Sequence, residues 1–215
     1  MLAFDELNVL NGQKKPRSIP INRWFNEMPL SEQQRRDRRG FAKEMQDILF
    51  VAMSMIHLSL QRGMSLDDAK NNLAGQLNGL LNRYTYPDGF LTMHIAEYVS
   101  NFVDTTVRHS VAEKPEDVAY WFSEDRARFN AENETNLIFN HDDFRIAVAS
   151  GLLNKQWITM RDERVRYSHT MVDGEVIPIE DYFLVGESLM LYPMDTSMGA
   201  DDSEICNCRC VVRYF

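Results

Sequence analysis

Residues 141–160 read HDDFRIAVASGLLNKQWITM, and a change of period inside this stretch decides the fold. His141 to Ser150 has the spacing of a short helix, and Gly151 is a natural stop for it. From Lys155 through Trp157 to Met160 the pattern becomes that of a strand. Upstream of the change everything reads as helix. Met45, Ile48, Leu49, Ala52, Ile56 and Leu60 recur at three and four, which predicts a helix over 41–62 with Gly63 as its stop. Ser65 and Asp68 have the spacing of a capping box. Leu66, Ala69, Leu73, Leu77, Leu80, Leu81 and Tyr84 then form a second stripe. So short a connection predicts an antiparallel hairpin. Tyr86 to Gly89 reads as a turn, and a third helix follows over 90–112. Pro115 opens another helix in its first turn. Asparagines at 130, 133, 136 and 140 make the continuation polar, and a break is expected there.

Downstream of the change, short strands follow. Val172-Asp173-Gly174-Glu175-Val176-Ile177 has the form of a strand, a tight Asp-Gly turn and a strand. Residues 182–185, 189–192 and 208–215 are further strand candidates. Helices first and strands last predict an α+β fold: a helical N-terminal two-thirds with a small antiparallel β-rich C-terminal domain. Three regions are expected: an extended N-terminal arm over 1–40, a helical region over 41–150, and the β-rich domain over 151–215.

Composition narrows the function. The 215 residues are 44% hydrophobic and 26% charged, which is globular. No apolar run is long enough for a membrane span, and the acidic, h-region-free start gives no expectation of a secretory leader. Asp plus Glu is 32 against 23 Lys plus Arg, a net charge of −9, which disfavours a protein whose main task is coating DNA. The charge is uneven. Residues 1–40 carry eight basic groups (Lys14, Lys15, Arg17, Arg23, Arg35, Arg36, Arg38, Arg39) and five acids. Such an arm could contact nucleic acid or an acidic partner, or simply be a solvated terminus. Trp24, Phe25, Met28 and Leu30 could pin it to a core or to a neighbour.

The three cysteines, Cys206, Cys208 and Cys210, are odd in number and lie within five residues. At that spacing they would share one strand face, where disulfide geometry is poor, so thiols or thiolate ligands in a reducing setting are expected. Nucleotide-binding glycine loops, zinc-protease motifs and nucleophile elbows are all absent.

What remains is an ordered set: Lys155 and Trp157 on a strand; Asp162, Arg166 and His169; Asp173-Gly174; Phe183; Pro193; and Asn207-Cys208-Arg209-Cys210. This set resembles the bacteriophage Mu F-like minor head proteins, or phage head morphogenesis proteins. A polar helix before it, with Asn130, Glu132, Asn133 and Asn136, resembles the family as well. The first 120 residues carry no family motif. The resemblance implies a low-copy structural protein of the virion head, not an enzyme. It would act in head morphogenesis through the portal protein and/or the major capsid protein, in the host cytoplasm during assembly and in the virion head afterwards. It would assist DNA packaging or delivery; the charge pattern adds DNA contact through the basic arm, and the lack of an apolar span gives no expectation of a membrane partner.

Within the set, His169 with Cys208 and Cys210, and Cys206 as a fourth ligand, is a candidate site for a structural zinc ion. No other cofactor is expected. Some relatives carry Cys-x-x-Cys where this chain has Arg166 and His169. The alternative is a metal-free core with hydrogen-bonded His169, buried Cys208 and Cys210, and Arg166 paired with Asp162 or Asp173. Trp157 and Phe183 read as core, Asp173-Gly174 as a turn, and Arg209 as half of an ion pair. The competing functional reading is a hydrolase or group-transfer enzyme using His169 with Asp162, Glu163 and Asp173.

Overall fold

The structure is a computed structural model that describes residues 25–111 and 115–215, with backbone alone at positions 115 and 116. Lys14, Lys15, Arg17, Arg23 and Trp24 lie outside the described residues. The fold is α+β, with helices first and short antiparallel strands near the C-terminus. No helix among the described residues is long and apolar enough to cross a membrane.

Helix α1 spans Glu32–Arg62 and begins well before Phe41, inside the stretch expected to be an extended arm. The cause is local. Ser31 and Gln34 form a reciprocal capping box: the Gln34 amide donates to Ser31 Oγ at 3.3 Å and the Ser31 amide to Gln34 Oε1 at 3.2 Å. Glu32 then pairs with Arg35, Arg36 and Arg39, while Arg38 is fully buried. Half of the expected arm's basic groups are therefore committed to the helix and its packing. Phe25 and Met28 are also buried.

The chain divides into two compact units. One is Gly40–Glu132; the other joins the segment ending at Arg39 to Asn133–Phe215. The first unit holds the rest of α1, then α2 (Asp67–Tyr84), α3 (Gly89–His109), α4 (Pro115–Trp121) and the start of α5 (Glu124–Ala149). Helices α1 and α2 form the expected antiparallel hairpin. Tyr84 at the end of α2 donates to Glu44 at 2.8 Å and packs edge-on against Phe41. Leu73, Leu77, Leu80 and Leu81 supply the buried stripe of α2. Ser65 does cap near the start of α2, but it accepts from the Asp67 amide rather than pairing with Asp68. The expected turn at 86–89 is used differently too: Asp88 is the N-cap of α3, accepting from the Leu91 amide at 2.9 Å, and Gly89 is already helical. Asp88→Ala should lower stability by about 1 kcal/mol. A shifted urea midpoint at unchanged m-value would show it.

The expected break in the polar helix does not occur; α5 runs unbroken through the asparagines. The polar positions at 136 and 140 are buried and bonded to the second unit's loops, so tertiary partners replace the missing apolar stripe.

In the second unit, β1 (Asn154–Ile158) lies between β2 (Val176–Pro178) and β5 (Val211–Tyr214), antiparallel to both. Trp157 faces Val212, and Lys155 faces Ile177 and Tyr214. A two-stranded ribbon, β3 (Phe183–Val185) with β4 (Ser188–Met190), completes the strands. Two short helices interrupt the expected β pattern: α6 (Tyr167–Met171) and α7 (Asp202–Ile205). Consequently Asp173-Gly174 is not a hairpin turn. It is a corner from α6 into β2, with Gly174 at φ +85° and its amide donating to the Trp157 carbonyl at 2.8 Å.

Candidate metal centre in the C-terminal unit

Strand alternation sends Lys155 and Trp157 of β1 to the buried side, and both are fully buried. The Trp157 ring meets Phe183 edge-on at 5.1 Å between centroids and His169 at 5.7 Å. Helix α6 thus carries His169 over the tryptophan. The segment after α7 brings Cys208 and Cys210 to the same place. His169 Nδ1 lies 3.3 Å from Cys210 Sγ and 3.7 Å from Cys208 Sγ. The three ligand atoms all fall within 4.8 Å of one another, and all three residues are buried. This cluster could hold a metal ion. Tetrahedral zinc with nitrogen near 2.1 Å and sulfur near 2.3 Å would set them about 3.6 Å apart. Beside the cluster is a small cavity of ≈ 20 Å³ rimmed by Arg164, Arg166 and Asn207, room for one water or one ion.

Sequence reasoning missed Glu204. Its Oε2 lies 3.0 Å from His169 Nε2 and accepts from Ser168 Oγ at 2.7 Å. A carboxylate on Nε2 fixes the tautomer that leaves Nδ1 facing the two sulfurs, as in carboxylate-oriented metal histidines. The signal was present: Asp201 caps α7 by accepting from the Ser203 amide at 2.7 Å, and Asp201-x-x-Glu204 has the spacing of a helix start.

The electrostatics favour one thiolate. Hydrogen bonding from Cys210, with help from His169, pulls Cys208 down to about 5 against the opposing effect of burial. Cys210 is pushed up by Cys208 and by burial. Burial works to lower the His169 pKa, but Cys208 and Glu204 outweigh it, and the net shift is upward.

The remaining motif residues make other contacts. Cys206 departs from expectation: it is exposed at the end of α7 and does not join the cluster. Asn207 at φ +57° turns the chain, so the three cysteines do not share a strand face. Arg209 makes a two-pronged ion pair with Asp162, both bonds at 2.7 Å. Arg166 therefore pairs with neither expected acid and donates to the Cys206 carbonyl. Asp173 accepts from the Thr159 amide at 2.8 Å and from Arg161 at 2.9 Å. The Pro193 carbonyl accepts from Asn140 at 3.2 Å. Asn136 donates to the carbonyls of Cys208 at 2.9 Å and Cys210 at 3.3 Å, and Asn133 accepts from the Asn207 amide. Glu132 is pushed up to about 7 by burial, with Arg128 opposing. Asn130 donates back onto its own helix, at the Arg126 carbonyl.

Lys155 is the second buried cation of the unit after Arg38. Its ammonium donates to the Leu191 carbonyl at 2.7 Å and lies 5.3 Å from the ring centres of Phe144 and Phe183. Burial lowers its pKa to about 8, against the pull of Asp195 and Asp181. The native state therefore releases this proton before the unfolded chain does. Stability should rise with pH between about 8 and 10.5. Urea titrations at several pH values, compared with Lys155→Met, would isolate it: the variant should lose this part of the slope.

No known protein family, curated protein or solved structure matches the chain in sequence or fold comparisons.

Proposed function

We propose that the chain is a low-copy minor head protein of a bacteriophage, a structural component that contacts the portal and/or the capsid interior during head morphogenesis. One observation carries the reading. The ordered motif that resembles the Mu F-like proteins converges on a single buried framework, Trp157 with Phe183, His169, Cys208 and Cys210. The asparagines of α5 tie that framework to its closing segment. Residues used this way hold a module together and leave its surface for partners. The enzyme reading draws less support. Asp162 is engaged by Arg209 and Asp173 by Thr159 and Arg161, Glu163 is exposed, and the carboxylate on His169 is Glu204, not one of the three expected acids. DNA contact would fall to Lys14, Lys15, Arg17 and Arg23.

The cluster's metal, in this reading, is a structural zinc ion held by His169 Nδ1, Cys208 and Cys210, with the small cavity supplying the fourth position. The donor set suits it: a soft pair of sulfurs and an imidazole whose far nitrogen is already bonded to Glu204. Zinc would fasten the closing segment to α6. Elemental analysis of undenatured protein should give about one equivalent of zinc; less than roughly a tenth would remove the ion and leave the hydrogen-bonded cluster. The head reading is tested separately. Co-expression with the portal and capsid proteins encoded beside the gene, then mass spectrometry of isolated portal rings and DNA-free heads, should find the chain at low, constant copy number. A chain that stays entirely free would overturn it.

A further inference from the structure

In the helical unit, Arg126 is 97% removed from solvent (3% exposed), and among the described residues no carboxylate reaches it. Its guanidinium lies between two rings, 4.5 Å from the centre of Phe102 and 4.5 Å from that of Trp121. One nitrogen, Nη1, is held by neutral acceptors, Thr106 Oγ1 at 2.8 Å and the Trp121 carbonyl at 2.9 Å. Buried charges are ordinarily paired, since an unpaired one is expensive. Burial here lowers the arginine to about 10, and among the described residues the tyrosines at 98 and 120 draw it back up.

Arg126 also lines a concave groove of ≈ 290 Å³. Its walls are Tyr98, Phe102, Tyr120, Trp121 and Phe129, with Asn101, Thr105 and Asn130 as neutral polar groups. Tyr120 and Phe129 stand partly exposed at its mouth. Flat apolar walls, a cation and no acid among the described lining residues define the guest. The volume takes a single ring-sized group. A single positive charge balances a monoanion, and a guanidinium whose faces are covered presents its edge, the geometry that grips a carboxylate.

We propose that this groove is a binding site for a carboxylate carried on an aromatic or similarly flat apolar group. The source is either a free organic acid or the C-terminal residue of a polypeptide. The site belongs to the helical unit and is independent of the cluster at His169.

The test uses the full chain and four probes: 3-phenylpropionate, its neutral amide, a short peptide ending in phenylalanine with a free carboxylate, and the same peptide amidated. Amide resonances of the protein are followed by NMR, with the Trp121 indole as the reporter in the groove. The acid should bind saturably and at least about tenfold more tightly than its amide, the share expected of one charge-assisted hydrogen bond. Tighter binding of the free-carboxylate peptide than of 3-phenylpropionate would assign the polypeptide source, and the reverse order the free acid. Arg126→Gln should abolish the difference between acid and amide. Because that change could unfold the unit, Phe129→Ala at the rim provides a second check and should weaken the acid without altering the fold. Equal binding of acid and amide, or saturating acid with no shift at the groove, would overturn the proposal.

Discussion

Trp157→Ala should destabilise the C-terminal unit by about 3–5 kcal/mol, among the largest effects of any single change in the molecule. The side chain is fully buried, and its ring is the common neighbour of Phe183 and His169. Removing it takes away both the transferred apolar area and the wall against which α6 seats. The void cannot close cheaply, because β1 is hydrogen-bonded on both edges. Chemical denaturation followed by circular dichroism should show the loss. Trp157→Phe should recover more than half of it, since a smaller ring still fills most of the site. A loss below about 1 kcal/mol would mean that the motif is not the centre of this core.

Asp143→Ala is the second large change. Arg38 of α1 is fully buried, donates to Asp143 at 2.9 Å and to Asn140 at 3.4 Å, and stacks 5.0 Å from the centre of Phe139. Deleting the carboxylate strands a buried guanidinium. The cost is about 3–5 kcal/mol for a fully desolvated pair, and the lower end applies because Asp143 keeps some contact with water. Replacing both partners distinguishes pairing from packing. Arg38→Met with Asp143→Leu should be much closer to the parent than Asp143→Ala alone. Equal loss in the single and double variants would assign the effect to packing around α5 instead.

These two sites differ in how readily the sequence announced them. Trp157, Phe183 and Arg209 could be read because strand alternation and an odd charge on a closing segment have few explanations. The element order, and hence the fold class, was visible in the change of period after Gly151. Arg38 was not visible. It sits among four arginines within five residues, and only the fold reveals that Arg35, Arg36 and Arg39 share Glu32 while the fourth turns inward. The asparagines of α5 misled for a related reason. Helix propensity marks them as poor interior residues, but Asn136 and Asn140 are paired with carbonyls some 70 residues away, and those partnerships have no local signature. Two signals were legible and missed: Ser31-x-x-Gln34 at the start of α1 and Asp201-x-x-Glu204 at the start of α7. The second would have placed Glu204 in the first turn of a helix, though not beside the histidine. Cys206 failed as a ligand because a left-handed residue at Asn207 breaks the alternation that spacing alone assumes.

The placement of β1 between β2 and β5 has a consequence for the order in which the molecule can be made. A ribosome delivers the helical hairpin early, and its contacts are mostly local. The strand carrying Lys155 and Trp157 emerges long before Val211–Tyr214, the segment that pairs with its other edge. Until then β1 exposes an unpaired backbone and a large aromatic, and neither the tryptophan pocket nor the cysteine pair exists. High contact order of this kind folds slowly and leaves the nascent chain open to misassociation. Chains arrested before residue 206 should therefore be held by chaperones or lost to aggregation, whereas chains released after residue 214 should not.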